Sequence, residues 1–341
     1  MTRPAAPSRI VPPVSSSFAA LFPGQLSEKP GMGEALAARF DFVADFYEEV
    51  SARSGVDLAT TFFGEGSPAL HDDLPAQVGV FAVSVAALDA LERLHGLAPA
   101  AAAGYSLGTY AACVAAGAID RFAALEVLLT ARRLLEEDRR QHADRPAGMG
   151  FVIGLSRPEL ERLVRDILDE RRLGEEDLSI GTENAARQFI LTGEREAVET
   201  AIERAAPVAL KAGTLPIGLA MHSSRLGDVT RRLKILLEGQ TAIRTPKLGL
   251  YAPMLGRRVS SPEELSSVLF LQLSRPSHWS STLAAMRADG LSLFAEVGPG
   301  DVLARLLRWT LRDAKGFVVE SPEGADALAR AMMQPEVAPH G

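Results

Sequence analysis

The segment Ala100-Ala101-Ala102-Ala103-Gly104-Tyr105-Ser106-Leu107-Gly108 constrains this chain more than any other stretch. The short apolar run after Pro99 reads as a strand, and the Ala-rich run from Thr109 to Ala116 reads as a helix. Only a very tight turn separates them. The two glycines let strand and helix approach closely, and the serine between them takes a strained backbone that lifts its hydroxyl above the sheet. The amide of the residue after the serine is then free to bind an oxyanion. This is the layout of a nucleophile elbow in an α/β sheet, with Ser106 as the nucleophile.

A serine hydroxyl needs a base, most often histidine. The sequence holds six. His71 lies in an Asp-rich loop, His142 in a charged run and His340 in the tail, while His95 ends a helix and suits its C-terminal dipole. His278 precedes Trp279 at the start of a helix. His222, in Leu219-Ala220-Met221-His222-Ser223-Ser224, is the favourite by pattern, against a purely structural role beside apolar residues.

Around the elbow the chain alternates strand and helix. Phe18 to Phe22 is a strand stopped by Pro23-Gly24, Met32 to Val50 has helical spacing, and Gln77 to Leu94 is a long apolar helix buried on most sides. From Met149 the rhythm changes: strand to Leu155, helix Pro158 to Arg172, strands Leu178 to Glu183 and Gln188 to Gly193 around Asn184, helix Glu196 to Ala205, strand Val208 to Leu215. This βαββαβ order is the ferredoxin-like split motif, here as an insertion. The large-unit pattern then resumes, with a helix from Leu226 to Leu237, strand Leu248 to Tyr251, helices Pro262 to Leu273 and Trp279 to Ala288, and strand Leu293 to Val297. The expected fold is α/β: an α/β-hydrolase-like catalytic domain over 18–146 and 216–330, a ferredoxin-like subdomain over 147–215, a leader over 1–17 and a tail over 331–341.

The whole chain narrows the function. Its 341 residues, 47% hydrophobic, can bury a sizeable core, and a net charge of −7 argues against a nucleic-acid binder. The Pro- and Ser-rich leader has no continuous apolar region, so neither a secretory signal nor a membrane span is expected there. The single cysteine, Cys113 in AACVAA, reads as a core residue, and a chain without disulfides suits a reducing cytoplasm.

Seven segments, in order, resemble the malonyl-CoA:acyl-carrier-protein transacylase family, which includes the acyltransferases of polyketide synthesis. They are Phe22-Pro23-Gly24-Gln25, Gly104-Tyr105-Ser106-Leu107-Gly108, Thr130-Ala131-Arg132-Arg133-Leu134, the run from Gly181 to Gly193, Met221-His222-Ser223, the run from Gln272 to Trp279, and Glu296-Val297-Gly298-Pro299-Gly300. The resemblance implies Ser106 as the acylated residue and His222 as its base, oriented by the backbone carbonyl of Gln272. It implies an oxyanion hole from the amides of Gln25 and Leu107, a pocket-lining Gln77, and Arg132 as the grip on a malonyl carboxylate, with Arg133 as its rival. No bound cofactor is implied. Malonyl-CoA is the substrate, and phosphopantetheine arrives on the partner, an acyl carrier protein; no membrane or nucleic acid takes part, and a monomer suffices.

Three departures matter: Tyr105 stands where the family has His, Thr109 where it has Glu, and Leu26 where it has Gly. The related transacylase subunit of malonate decarboxylase and a hydrolase of acyl-carrier thioesters share the Ser-His pair. A carboxylate-gripping arginine favours malonyl transfer; its loss favours the hydrolase or a neutral acyl group. The carrier is expected to be acidic, with Arg231, Arg232, Lys234, Arg257 and Arg258 as candidate docking charges.

Overall fold

The computed structural model describes residues 17–333, so most of the leader and tail, with His340, lie outside the described residues. Eleven strands follow along these residues: β1 (Phe18–Phe22), β2 (Ala101–Gly104), β3 (Ala147–Ile153), β4 (Leu178–Ala185), β5 (Gln188–Glu194), β6 (Lys211–Leu215), β7 (Gly249–Ala252), β8 (Arg257–Arg258), β9 (Ser277–His278), β10 (Leu293–Val297) and β11 (Lys315–Val319).

The larger sheet has the order β11-β10-β1-β2-β7-β8, parallel throughout except for β8. A parallel sheet needs helices on both faces, so its strands are apolar on both sides. In β1 every residue is buried: Phe18, Ala20 and Phe22 join the main core, while Ala19 and Leu21 pack on the opposite face against Trp279, Leu283 and Phe294. The helices Asp73–His95, Gly108–Ala115 and Arg121–Gln141 carry the main core, and Trp279–Ala288 with Val302–Thr310 cover the other side. Asp73–His95 is the one helix among the described residues long and apolar enough to cross a membrane, and 83% of its apolar window is packed inside the protein.

The smaller sheet has the order β6-β3-β5-β4-β9. Its first four strands, with helices Arg157–Arg171 and Arg195–Ala205 on one face around Leu160, Ile167, Phe189 and Val198, form the expected ferredoxin-like unit. The two-residue β9 comes from after the large-sheet strand β7 and pairs parallel to β4, stitching the two sheets together.

The expectations need correction in places. The helix expected over Met32 to Val50 is two, Glu34–Arg39 and Asp41–Ser54, because Phe40 is extended (φ −136°, ψ 114°) and breaks the ladder. The turn lets Val43, Phe46 and Val50 reach the core. Strand β6 starts at Lys211, not Val208, since the amides of Val208 and Ala209 return to the Ala205 carbonyl and close a turn first. The helix expected to reach Leu273 stops at Leu271 and tightens into a 3₁₀ turn over Gln272–Ser274. Asn184 lies inside β4 beside a register shift, not between strands.

Candidate active site

The elbow is set by sterics. Ser106 has φ +52°, a left-handed conformation that costs a non-glycine residue roughly 1–2 kcal/mol. A Cβ on Gly104 would sit 2.1 Å from the Gly108 carbonyl carbon, and one on Gly108 would sit 2.1 Å from the Phe22 carbonyl oxygen. Strand β2, its neighbour β1 and the helix Gly108–Ala115 therefore meet only because both positions are glycine.

His222 is brought across from the segment that returns to the large sheet. Its Nε2 lies 2.8 Å from Ser106 Oγ. Its Nδ1 lies 3.1 Å from the Gln272 carbonyl and 3.3 Å from the Arg275 carbonyl. Carbonyl oxygens only accept, so Nδ1 carries the proton and the Nε2 lone pair faces the serine. The ring is fixed twice over: His222 itself is left-handed (φ +64°), and its backbone N–H donates to the Leu273 carbonyl at 2.7 Å. Burial lowers the imidazole pKa from its ordinary value, opposed in part by the two carbonyl partners of Nδ1. Such a pair can take the serine proton onto Nε2 without a carboxylate partner.

Ser106 and His222 open into a cavity of about 220 Å³, lined also by Gln25, Leu107 and Gln77. Neither the Gln25 nor the Leu107 backbone N–H donates to another described residue, so both are free to meet an oxyanion. The structure thus brings together Ser106, His222, Gln272, Gln25, Leu107 and Gln77.

It does not bring in Arg132 as a wall of the cavity. The helix Arg121–Gln141 turns Leu128, Ala131 and Leu135 toward it, spaced i, i+3, i+7. Arg132 is one residue and about 100° further round, following from 3.6 residues per turn. Its Nη2 is held 3.1 Å from Asp73 Oδ2 and 3.2 Å from Glu136 Oε2. Arg133 is exposed and does not line the cavity either. Among the described residues, no lysine or arginine stands in the cavity wall.

The other described histidines pair elsewhere: His71 lies near Glu28, His95 near Asp326 and His142 near Asp138, while His278 sits in β9. Cys113 is fully buried, and burial pushes its thiol up to about 12. Several candidate docking charges are matched locally: Arg231 by Asp228, Arg232 by Glu137, Lys234 by Glu238 and Arg257 by Glu264.

Sequence reasoning missed three contributors. Tyr105 donates to Asn184 Oδ1 at 2.8 Å and meets the Trp279 ring edge-on at 5.4 Å, joining the elbow to β4. Asp73, at the start of its helix, bonds the Gln25 side chain. Val302, Leu303 and Leu306 close the cavity from a helix that the sequence reading stopped short of.

The comparisons with known proteins bear on family and fold. A family model described as the acyl transferase domain matches residues 20–337. The malonyl CoA-acyl carrier protein transacylase of Haemophilus influenzae is 28% identical over 319 residues, 91% of this chain and 97% of that one. The polyketide biosynthesis protein ThaF of Burkholderia thailandensis is 31% identical over 340 residues, 98% of this chain but 28% of that longer protein. Among solved structures, an acyl carrier protein S-malonyltransferase from Vibrio cholerae superposes with a TM-score of 0.82 at 27% identity, covering 92% of this chain and 100% of that one. A type II PKS acyl-carrier protein in complex with its malonyl-transacylase gives 0.84 at 27%, covering 93% and 100%. This chain belongs to the acyl transferase domain family and is an acyltransferase.

Proposed function

We propose that the chain carries an acyl group from a CoA thioester to the phosphopantetheine thiol of an acyl carrier protein, through an ester on Ser106. The observation that carries this is the 2.8 Å approach of His222 Nε2 to Ser106 Oγ, with Nδ1 committed to backbone carbonyls. The thioester carbonyl sits against the Gln25 and Leu107 amides. The Ser106 proton passes to Nε2 as Oγ bonds the carbonyl carbon, and the C–S bond breaks. The departing CoA sulfur takes the proton from His222. The carrier thiol then gives its proton to Nε2 and attacks the ester carbonyl; the bond to Oγ breaks and Ser106 Oγ takes the proton back from His222.

The malonyl CoA-acyl carrier protein transacylases among the relatives are named for malonyl. A buried carboxylate needs a cation. Asp73 and Glu136 hold only Nη2 of Arg132; its Nη1 is buried with no hydrogen-bond partner and is available to a carboxylate. We assign malonyl to this site, with Arg132 Nη1 as its grip. Hydrolysis of acyl-carrier thioesters is the second reading, since it uses the same Ser106-His222 pair. On either reading, 18–146 and 216–330 form the catalytic unit, 147–215 the subdomain, and one chain supplies the whole site. The single buried thiol suits a cytoplasmic enzyme.

The test uses intact-mass labelling of wild type and Ser106→Ala by malonyl-, acetyl- and butyryl-CoA, followed by addition of phosphopantetheinylated carrier protein. Label on wild type alone, stronger for malonyl and moving to the carrier, is expected. Label dominated by acetyl or butyryl would overturn the malonyl assignment. Release as free acid despite the carrier would establish the hydrolase, and label on Ser106→Ala would sink the acyl-serine.

A further inference from the structure

Besides its unpartnered Nη1, the buried Arg132 guanidinium reaches the oxyanion loop from Nη2 through two side chains. Arg132 is 9% exposed and forms an ion pair with Asp73 Oδ2. The other oxygen of the same carboxylate, Asp73 Oδ1, accepts from Gln25 Nε2 at 2.9 Å. Gln25 Oε1 in turn accepts from Gln77 Nε2 at 3.1 Å. Both oxygens of one carboxylate thus tie helix Arg121–Gln141 to the loop after β1. We propose that Arg132 and Asp73 are positioning residues of the oxyanion loop: they fix the Gln25 side chain and with it the Gln25 amide opposite Ser106.

This rests on the reading of the Gln25 amide as an oxyanion donor. Leu26, the next residue, is left-handed at φ +75° and 40% exposed, and its amide donates to Glu28 Oε2 within the same loop; the Gln25 side chain is what ties that loop to the helices. Gly24, the residue before, lies so close to Tyr105 that a Cβ there would stand 2.8 Å from the Tyr105 carbonyl oxygen. Between them Gln25 sits in a strained segment, and an amide aimed at a developing charge must be held before that charge appears. The side chains of Arg132 and Asp73 are only 10% and 17% exposed, so their pairing is charge-assisted and little screened. Glu136 holds the same Arg132 nitrogen from its own helix and keeps the guanidinium from swinging away.

The test is the burst of nitrophenolate from p-nitrophenyl butyrate with the full chain, an activated ester that needs no carrier docking. Asp73→Ala, Arg132→Gln and Gln25→Ala are each expected to lower the acylation rate constant about 10- to 100-fold, in the range of a displaced oxyanion donor, with half-saturation within about twofold. The Asp73→Ala/Gln25→Ala double variant should be no slower than either single, because all act through one amide. Arg132→Lys should recover part of the rate. Should Asp73→Ala fail to fold, Asp73→Asn, which keeps an acceptor for Gln25 but loses the ion pair, reads the same coupling. Unchanged rates, or additive losses in the double variant, overturn the proposal. A loss confined to half-saturation overturns it too, by making Arg132 a contact of this uncharged ester. A burst surviving in Ser106→Ala would instead sink the underlying acyl-serine reading, whatever the Asp73 series does.

Discussion

The elbow around Ser106 and the helix Arg121–Gln141 face one cavity from two sides. At the elbow, every atom is placed by hard contacts: two glycines whose added Cβ atoms would each come within 2.1 Å of backbone, and a serine at φ +52°. On the helix, nothing local decides which residue faces the site. Ala131 and Arg132 are both good helix formers, and the helix rotates by the packing of Leu125, Leu128, Leu134 and Leu135 on the core. One residue of offset exchanges a guanidinium for a methyl in the wall of the cavity. Reactivity is therefore fixed by sterics within five residues, while acyl preference is fixed by how a whole helix beds down.

The largest test of this contrast is Gly108→Ala. Its Cβ would meet the Phe22 carbonyl, so acylation of Ser106 should fall by more than about 1000-fold, or the protein should lose several kcal/mol of stability, as overpacking against backbone does. Gly227→Ala, whose Cβ meets nothing within 4 Å, is the matching control and should leave both unchanged. An active, stable Gly108→Ala variant would break the claim that the elbow is sterically closed.

Next in size is Arg132→Gln. It removes the unpartnered Nη1, and a charge-assisted pair with a carboxylate is worth about 1.5–3 kcal/mol, so malonyl labelling relative to acetyl should fall roughly 10- to 100-fold. Arg133→Gln, at an exposed neighbour on the same helix, should leave the ratio unchanged. An unchanged ratio in Arg132→Gln would mean that Nη1 does not meet the acyl group.

These two regions also account for what the sequence disclosed. The elbow, the strands β1, β2 and β10 and the βαββαβ unit could be read because glycine spacing, continuous apolar runs and alternating rhythm are local signals. His222 was only a favourite among six: its left-handed backbone and its two carbonyl partners, 50 and 53 residues away, leave no mark in the neighbouring sequence. Between Arg132 and Arg133 the sequence left a choice, because helical period gives a face but not its absolute rotation; the fold buries Arg132 and exposes Arg133. The Tyr105–Asn184 bond spans 79 residues and joins the two sheets, and no pattern within either segment announces it.

A smaller effect concerns pH. His222 must be neutral to accept the serine proton, and burial lowers its pKa. The acid limb of Ser106 acylation should therefore lie below the ordinary imidazole value of about 6.5. The stability linkage has the matching sign: a depressed pKa gives a contribution that is present above the unfolded value and lost as pH falls through the folded one. Acylation rate measured from about pH 4.5 to 8, a span that brackets the ordinary imidazole value, checks this. A limb at or above about 6.5 would mean that the imidazole is solvated, and the enclosure of the site would need to be redrawn.

The smallest expected effect is the sharpest probe of the elbow's independence. Tyr105→Phe keeps the ring against Trp279 and removes only the hydroxyl that donates to Asn184. It leaves Asn184 Oδ1 short of one donor, a loss of about 0.5–1.5 kcal/mol, read as a fall of about 1–2 °C in Tm. If the glycines alone set the serine, the acylation rate should change by less than about twofold, since losing one hydroxyl leaves the close contacts at Gly104 and Gly108 untouched. A tenfold fall in rate with the same small change in Tm would show the opposite: that the small sheet, through Asn184, holds the nucleophile in place. The elbow would then depend on distant packing as much as the helix that faces it does.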